Sequence, residues 1–347
     1  MADKFLFEHV LGGLAVSLMG DAMGAASEFL SGPEQINKQF GGRITKFYDP
    51  APGTPASRPK RKAGQITDDT SQALYMIQAY VDSGRVLKIE EVAKQMVAWG
   101  KVEVLFNSFA GPSTRKALAE LEQGKSPWET GLPPERGNHD LGTSCGAAMK
   151  VAPAGLAHPG DIDAAIRDAI TMSIPTHHTN VAFAGAAATA AAIAAGIIPG
   201  ASILSVTDAA IYGAEQGYKL GKDHPAKGRH ASVTERIKLA IEMAAAGTDF
   251  AQTCERLGDV IGCGLPIAEA VPVAVGLFVA ARGDPLQSII GAANLGGDSD
   301  SVGAIVGGIA GAYAGIAAVD KNLVKQLEKA NDIDLSALAQ QLIDLKG

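Results

Sequence analysis

Apolar residues recur along most of this chain at the three- and four-residue spacing of a helix. Two windows show the pattern most clearly: Ala73, Leu74, Ile77, Tyr80 and Val81, and then Ile89, Val92, Ala93, Met96 and Val97. We find no clear run of alternating apolar and polar residues, which is the pattern of a half-buried strand. The pattern therefore predicts an all-α protein.

Capping boxes, in which a Ser or Thr precedes a Glu by three positions, indicate the starts of two helices. They are Ser31-Gly-Pro-Glu34 and Ser232-Val-Thr-Glu235. The segment from Phe40 to Lys62 is rich in Gly and Pro and is predicted as a surface loop. No linker and no short-period repeat divides the chain, so we expect one domain over residues 1–347.

Two long uncharged segments, Ala182 to Ile198 and Val302 to Val319, need an explanation of their own. The second has about the length that spans a bilayer. Both consist mostly of Ala and Gly rather than of the residues that favour membrane insertion. Such segments are typical of central helices that are buried on every side. We therefore expect no membrane partner.

Charge and cysteine content narrow the class of protein. The net charge is −7 and the isoelectric point is about 5.5, so the chain lacks the basic footprint of a general nucleic-acid binder. One dense basic run, Arg58 to Lys62, is interpreted as a solvated loop, with a phosphate-attracting patch as the alternative. The three cysteines form no C-x-x-C pair, and Asp3 and Glu8 interrupt any signal peptide near the N-terminus. We expect a reduced, cytoplasmic protein.

Two acidic clusters carry the candidate chemistry. Thr67-Asp-Asp-Thr70 directly precedes the helix predicted from Ser71 to Val81, and Asn294-Leu-Gly-Gly-Asp-Ser-Asp-Ser301 directly precedes the helix predicted from Val302. Burying so many carboxylates is costly unless a cation compensates them. Oxygen ligands from Asp, Ser and Thr favour hard ions such as Mg²⁺ or Mn²⁺. The alternative is two solvated helix caps that lie far apart.

Taken in order, five motifs resemble those of the ADP-ribosylglycohydrolase family, which includes dinitrogenase reductase-activating glycohydrolases and ADP-ribosylarginine hydrolases. They are Gly12-Gly-Leu-Ala-Val-Ser-Leu-Met-Gly-Asp-Ala-Met-Gly24 followed by Glu28; Thr67-Asp-Asp-Thr70; Gly146-Ala-Ala-Met-Lys-Val-Ala-Pro153; Thr176-His177 followed by Ala184-Gly-Ala-Ala; and Asn294-Leu-Gly-Gly-Asp-Ser-Asp-Ser301. Each motif is weakly specific, whereas the ordered set covers most of the chain.

The resemblance implies an orthogonal helical bundle that holds two Mg²⁺ or Mn²⁺ ions. The matching ligand positions are Thr67, Asp68, Asp69, Asp298, Asp300 and Ser301. Ser301 stands where Thr is usual, and the hydroxyl is retained. Glu28 matches a glutamate near the metals. We expect Glu28, Asp69 and Asp298 to take part in catalysis, by accepting a proton from water or by stabilising an oxocarbenium-like state.

The substrate loop departs from the family pattern. The family usually has Gly-Asn-Gly before Ala-Ala-Met, whereas Ser144 and Cys145 here precede Gly146. The resemblance makes Ser144, Cys145, Gly146 and His177 candidate substrate contacts. Because the loop has lost backbone freedom, we expect a small ribosyl compound to be preferred over ADP-ribosylated protein. As a buried residue, Cys145 is expected to pack rather than to act as a nucleophile.

The sequence thus predicts a metal-dependent hydrolase that cleaves a glycosidic bond to ribose in an ADP-ribosylated or ribosylated compound. Its partner would be a small ribosyl or ADP-ribosyl substrate or an ADP-ribosylated protein. Two alternatives remain open at this point. One is a ribohydrolase of small nucleosides or nucleotides, and the other is a non-catalytic protein that binds ADP-ribose. Retention of all four Asp ligands speaks against the second.

Overall fold

The helical prediction is confirmed by a computed structural model, which describes residues 2–84, 86–135, 138 and 140–345. Over these residues the chain forms no β-strand, and one isolated β-bridge joins Ser144 to Pro266. Three short 3-10 helices accompany the α-helices: Pro55–Ser57, Cys145–Ala147 and Ile316–Ala318. The fold is therefore all-α, as the spacing of apolar residues predicts.

The described residues form eighteen α-helices. In chain order they are α1 (Ala2–Gly24), α2 (Pro33–Phe40), α3 (Asp68–Ser83), α4 (Ile89–Gly100), α5 (Glu103–Phe109), α6 (Pro112–Glu122), α7 (Pro127–Thr130), α8 (Ala152–Ala157), α9 (Ile162–Ser173), α10 (Asn180–Gly196), α11 (Ile203–Leu220), α12 (Val233–Ala246), α13 (Phe250–Ile261), α14 (Ile267–Ala280), α15 (Pro285–Ala293), α16 (Ser299–Ala314), α17 (Lys321–Asn331) and α18 (Leu335–Asp344).

Helices α1 and α16 form the tightest crossing in the core. They run antiparallel, with Gly12 against Gly311 at one end and Gly20 against Gly303 further along. A Cβ atom built on Gly303 would lie only 2.3 Å from the carbonyl oxygen of Gly20. Glycine is required there because the two backbones touch directly. The crossing brings the C-terminal end of α1 beside the N-terminal start of α16, because Gly24 lies against Ser299.

Helix α10 is buried along its whole length, from Asn180 to Gly196. Helices α9 and α11 pack against it. Helix α16 is likewise buried from Ser299 to Ala312, so the greater part of each uncharged segment is a central helix, as predicted. The second segment leaves the helix at Ala314, and its last residues form a 3-10 helix in which Ala317 and Ala318 are exposed. A third helix, Lys4–Gly24, has the length and apolar composition of a membrane span, although most of it is buried inside the fold. The sequence pattern did not single out that helix.

Two local predictions need correction. Helix α2 begins at Pro33 with Gly32 as its cap, and Ser31 bonds to Gln35 rather than forming the predicted box with Glu34. The segment from Phe40 to Lys62 is also more than a surface loop, since Ile44 is completely buried. The backbone N–H and carbonyl of Ile44 form hydrogen bonds with the side chain of Asn294. These bonds satisfy the buried polar groups of the loop, and local composition does not reveal them. The cap at Ser232 is confirmed, because its side chain accepts from the N–H of Glu235.

Candidate active site

A cavity of about 210 Å³ brings together ten of the eleven site residues that the sequence predicts. They are Glu28, Asp68, Asp69, Ser144, Cys145, Gly146, His177, Asp298, Asp300 and Ser301. The two acidic clusters, more than two hundred residues apart in sequence, therefore meet at one place. A larger cavity, about 570 Å³, lies beside the start of α12, but the two carboxylates that line it, Glu215 and Glu235, are exposed. Because most of its carboxylates are buried, the smaller cavity is the candidate active site.

Three carboxylates converge most closely within this cavity. Oxygen atoms of Glu28, Asp298 and Asp300 all lie within 4.8 Å of one another, and all three residues are buried. Among the described residues, no hydrogen-bond partner reaches Glu28 Oε2 or Asp69 Oδ2. A buried carboxylate oxygen without a partner is costly unless a cation or water completes it. The donor set of clustered carboxylates and hydroxyls fits a hard divalent cation.

The electrostatics of the cluster support the same interpretation. Burial, and then the neighbouring charges of Asp298, Asp68 and Asp21, raise the pKa of Glu28 well above its ordinary value. Burial and nearby carboxylates likewise raise the pKa of Asp300 well above its ordinary value. Burial raises the pKa of Asp298 to about 6. The cluster therefore holds more negative charge than the surrounding side chains neutralise, and cations would relieve it.

The start of α3 is held by Asp21, a buried residue that the sequence analysis missed. Its carboxylate accepts hydrogen bonds from the backbone N–H and the hydroxyl of both Thr67 and Thr70. This arrangement orients the helix start so that Asp68 and Asp69 line the cavity. Thr67 itself does not line the cavity, because its hydroxyl donates to Asp21 Oδ1 over 2.8 Å. A carboxylate inside the otherwise uncharged stretch from Val10 to Gly24 was the available signal.

The start of α16 depends on a tight turn. Gly297 has a positive φ of 61°, and a Cβ atom there would lie 2.0 Å from the carbonyl oxygen of Cys263. Only glycine fits this position without displacing the neighbouring chain. The turn places Asp298 at the N-cap position of α16, where its side chain makes no capping hydrogen bond, while Ser299 Oγ donates to the carbonyl of Gly24 over 2.9 Å. Asp298 and Asp300 are thereby placed beside the end of α1.

Glu28 lies in the turn that follows α1, opposite the two acidic helix starts. The next residue, Phe29, has a left-handed φ of 59°, and its N–H donates to the carbonyl of Gly297. The side chain of Phe29 is 53% exposed and lines the cavity. A non-glycine residue in this conformation is strained and persists only where its surroundings hold it. Phe29 is a further cavity residue that the sequence analysis did not find.

The loop residues Ser144 to Gly146 form another wall of the cavity. Cys145 Sγ donates to Asp298 Oδ2 over 2.7 Å, and burial raises the pKa of the Cys145 thiol well above its ordinary value. The thiol is therefore protonated, which does not suit a nucleophile. Ser144 Oγ lies 2.9 Å from His177 Nε2. Gly146 packs so closely that a Cβ atom would lie 2.9 Å from His177 Cε1.

The ADP-ribosylglycohydrolase family profile matches residues 2–347. The chain is 31% identical to the Escherichia coli (strain K12) uncharacterized protein YegU, over 96% of each chain. It is 24% identical to the human ADP-ribosylhydrolase ARH3, over 95% of this chain and 92% of that one.

A solved structure described as an ADP-ribosylglycohydrolase-related protein complex superposes with a TM-score of 0.71. The superposition covers 99% of this chain and 100% of that one, at 22% sequence identity, and it shows the shared fold. Fold and profile agree with the ordered motifs of the sequence. The chain belongs to the ADP-ribosylglycohydrolase family, whose activity is the hydrolysis of glycosidic bonds of ADP-ribose.

Proposed function

We propose that this protein is a metal-dependent hydrolase that cleaves the bond between the anomeric carbon of ribose and a leaving group in an ADP-ribosylated compound. The observation that carries the proposal is the convergence of Glu28, Asp298 and Asp300 within 4.8 Å at the cavity. The partnerless oxygens of Glu28 and Asp69 add to it. A purely structural cluster would be expected to pair its buried carboxylates with cationic side chains.

Two Mg²⁺ or Mn²⁺ ions would be held by oxygen atoms from the starts of α3 and α16. The proposed ligands are Thr67, Asp68, Asp69, Asp298, Asp300 and Ser301. Such ions would polarise the ribose oxygens and would lower the pKa of a coordinated water molecule. The Thr67 hydroxyl donates to Asp21 and accepts from the N–H of Asp69, which leaves one lone pair on its oxygen for this role. Gln72 orients Asp68, since its amide nitrogen donates to Asp68 Oδ2 over 3.3 Å.

The side chains around the cavity can perform the remaining steps. Glu28 comes from neither acidic helix start and faces both, so its carboxylate is placed to accept a proton from the attacking water. Asp69 and Asp298 provide negative charge close to the positive charge that develops on the sugar ring. Ser144, Gly146 and His177 form the wall that would contact the rest of the substrate.

A small riboside is the second candidate substrate, and one observation favours it. Pro55, from the segment between Phe40 and Lys62, lines the same cavity. That segment therefore forms part of the site wall, and a walled site suits a small substrate that can be enclosed. The alternative of a non-catalytic ADP-ribose-binding protein predicts no product from any substrate.

A product screen by mass spectrometry tests the proposal. Arginine-, serine- and acetyl-linked ADP-ribose would be incubated beside simple nucleosides, with Mg²⁺, with Mn²⁺ and with EDTA. We expect release of ADP-ribose or ribose that stops in EDTA and is absent from the Asp300→Asn variant. Metal-independent turnover would refute the proposed mechanism, and the absence of any product would favour the binding protein.

A further inference from the structure

Four side chains connect the interior of the protein to the cavity by hydrogen bonds. Lys150 Nζ lies 2.9 Å from Thr176 Oγ1, which lies 2.8 Å from His177 Nδ1. His177 Nε2 lies 2.9 Å from Ser144 Oγ at the cavity wall. We refer to Lys150, Thr176, His177 and Ser144 as the relay. Neither Lys150 nor Thr176 lines the cavity, so neither touches a substrate there.

The donor and acceptor roles within the relay are assigned starting from Lys150, which is completely buried. Its amine donates to the carbonyl of Gly146 over 2.8 Å and to the hydroxyl of Thr176. In its charged form the lysine ammonium has three hydrogens and no lone pair, so it donates in both bonds. Because Thr176 accepts from Lys150, its own hydrogen is available for another acceptor. Among the described residues, His177 Nδ1 is the acceptor within reach.

This assignment determines the tautomer of His177. The ring is buried, and burial together with Lys150 lowers its pKa well below the ordinary value, so it carries a single N–H. If Nδ1 accepts from Thr176, then Nε2 carries the hydrogen and donates to Ser144 Oγ. Ser144 accepts that bond, and its own hydroxyl hydrogen is left to point toward a ligand. In the opposite tautomer, Ser144 would donate to His177 as in a serine–histidine nucleophile pair.

We propose that Lys150 and Thr176 are positioning residues that hold His177 in the Nε2–H tautomer, so that Ser144 donates a hydrogen bond to a phosphate oxygen of the substrate. Phosphate oxygens only accept hydrogen bonds, so a hydroxyl locked as a donor matches a diphosphate. The phosphate ligand rests on the proposed function, whereas the tautomer does not. Ser144 is thereby a binding residue and not a nucleophile.

The packing around the relay is consistent with a fixed ring orientation. The ring packs close to the backbone of Gly146, since a Cβ atom added there would lie 2.9 Å from His177 Cε1 and 3.0 Å from Nε2. Lys150 also fixes the loop itself through the carbonyl of Gly146. The same residue therefore supports both ends of the contact between Ser144 and His177.

Nitrogen NMR of the full-length, ¹⁵N-histidine-labelled protein distinguishes the two tautomers directly. The protein contains internal references, because ring nitrogens bonded to carbonyl oxygens must carry hydrogen. His178 Nδ1 lies 2.8 Å from the carbonyl of Trp128, and His230 Nε2 lies 2.7 Å from that of Lys227. We expect His177 to match His230 and to differ from His178. A His177 signal of the Nδ1–H type would overturn the proposal. Assignment uses the signal lost in His177→Asn.

Variants at position 176 separate the relay from simple packing. Thr176→Val keeps the shape and removes the hydroxyl, so the Nε2–H preference should be lost in part or completely. Thr176→Ser restores the hydroxyl and should restore the wild-type spectrum. If Thr176→Val leaves the tautomer unchanged, Thr176 and Lys150 do not set it and the positioning role is wrong. Lys150→Met should shift the tautomer in the same direction as Thr176→Val.

A binding measurement tests the ligand. In Mg²⁺, Ser144→Ala should weaken binding of ADP-ribose by about tenfold or more, the usual loss for a hydrogen bond to a charged group. Binding of adenosine, which lacks phosphate, should not change. Equal weakening of both ligands would refute phosphate recognition by Ser144. If the wild-type protein binds no ADP-ribose, the phosphate assignment and the proposed function both fail, while the spectrum still decides the tautomer.

Discussion

Cys145 donates a hydrogen bond to Asp298 over 2.7 Å and thereby connects the loop from Ser144 to Gly146 to the start of α16. This bond favours the ionised form of Asp298, yet burial outweighs it and raises the pKa of Asp298 from 3.8 to about 6. The carboxyl group is therefore easier to protonate in the folded protein than in the unfolded chain. The contribution of the Asp298 carboxyl group to stability therefore falls as the pH rises.

In EDTA, we predict that the wild-type protein loses stability as the pH rises from about 4 through about 6. A raised carboxyl pKa stabilises the fold fully below the unfolded value, and that contribution is lost as the group ionises inside the protein. A shift of this size corresponds to about 3 kcal/mol. Asp298→Asn cannot ionise, so metal-free Asp298→Asn should be more stable than the wild type at pH 7.5. Urea unfolding across this pH range measures the difference.

The control for this measurement is Asp259→Asn, on the exposed face of α13. That variant should follow the wild-type pH profile. A metal-free Asp298→Asn protein that is less stable than the wild type at pH 7.5 would show that the buried charge is already compensated by other groups.

Removing one carboxylate should also remove metal binding. We predict that Asp300→Asn binds Mg²⁺ and Mn²⁺ at least tenfold more weakly than the wild type, because a neutral amide replaces a charged donor in the cluster. The helical fold should be retained. Calorimetric titration reports the affinity, and circular dichroism reports the helix content. Wild-type affinity in this variant would place the cations elsewhere, with Asp259→Asn again as the unaffected control.

A third prediction concerns the wall of the cavity. Gly146→Ala would insert a methyl group 2.9 Å from His177 Cε1 and should displace the ring from Ser144. We expect binding of ADP-ribose to weaken while metal affinity is kept. Gly111→Ala is the matched control, since Gly111 lines the same cavity and a Cβ atom there meets nothing within 4 Å. Equal behaviour of the two variants would argue against a fixed contact between His177 and Ser144.

The parts of this site that could be predicted from the sequence are those whose residues form a local sequence pattern. Carboxylates next to hydroxyls at helix starts, such as Asp69 and Asp300, form recognisable patterns, and the motif order places them together. Asp21 and Lys150 escaped prediction because their partners lie 46 and 26 residues away, respectively. A charged residue in an apolar segment indicates only that some partner exists. Its identity depends on the crossing of helices, which periodicity does not determine.

Helix packing gives a fourth prediction. Gly303→Ala should destabilise the protein by about 3 kcal/mol or more, since its methyl group would lie 2.3 Å from the carbonyl oxygen of Gly20 and the two backbones must separate. Gly308→Ala, in the same helix, approaches the flexible end of the Ile193 side chain at 3.0 Å and other atoms at 3.6 Å or more, and should be tolerated. Thermal unfolding compares them. A mild effect at Gly303 would mean that α1 and α16 can move apart cheaply.

The pairing of α1 with α16 also constrains when the protein can complete its fold. Ser17 donates to the carbonyl of Ala304, 287 residues further along the chain. At about 5–20 residues per second, the ribosome makes α1 roughly 15 to 60 s before its partner. During that time a helix with the length and composition of a membrane span lacks the surface that buries it. Chaperones that bind apolar segments would therefore meet α1 before α16 is made, and the contact that buries α1 would be among the last to form.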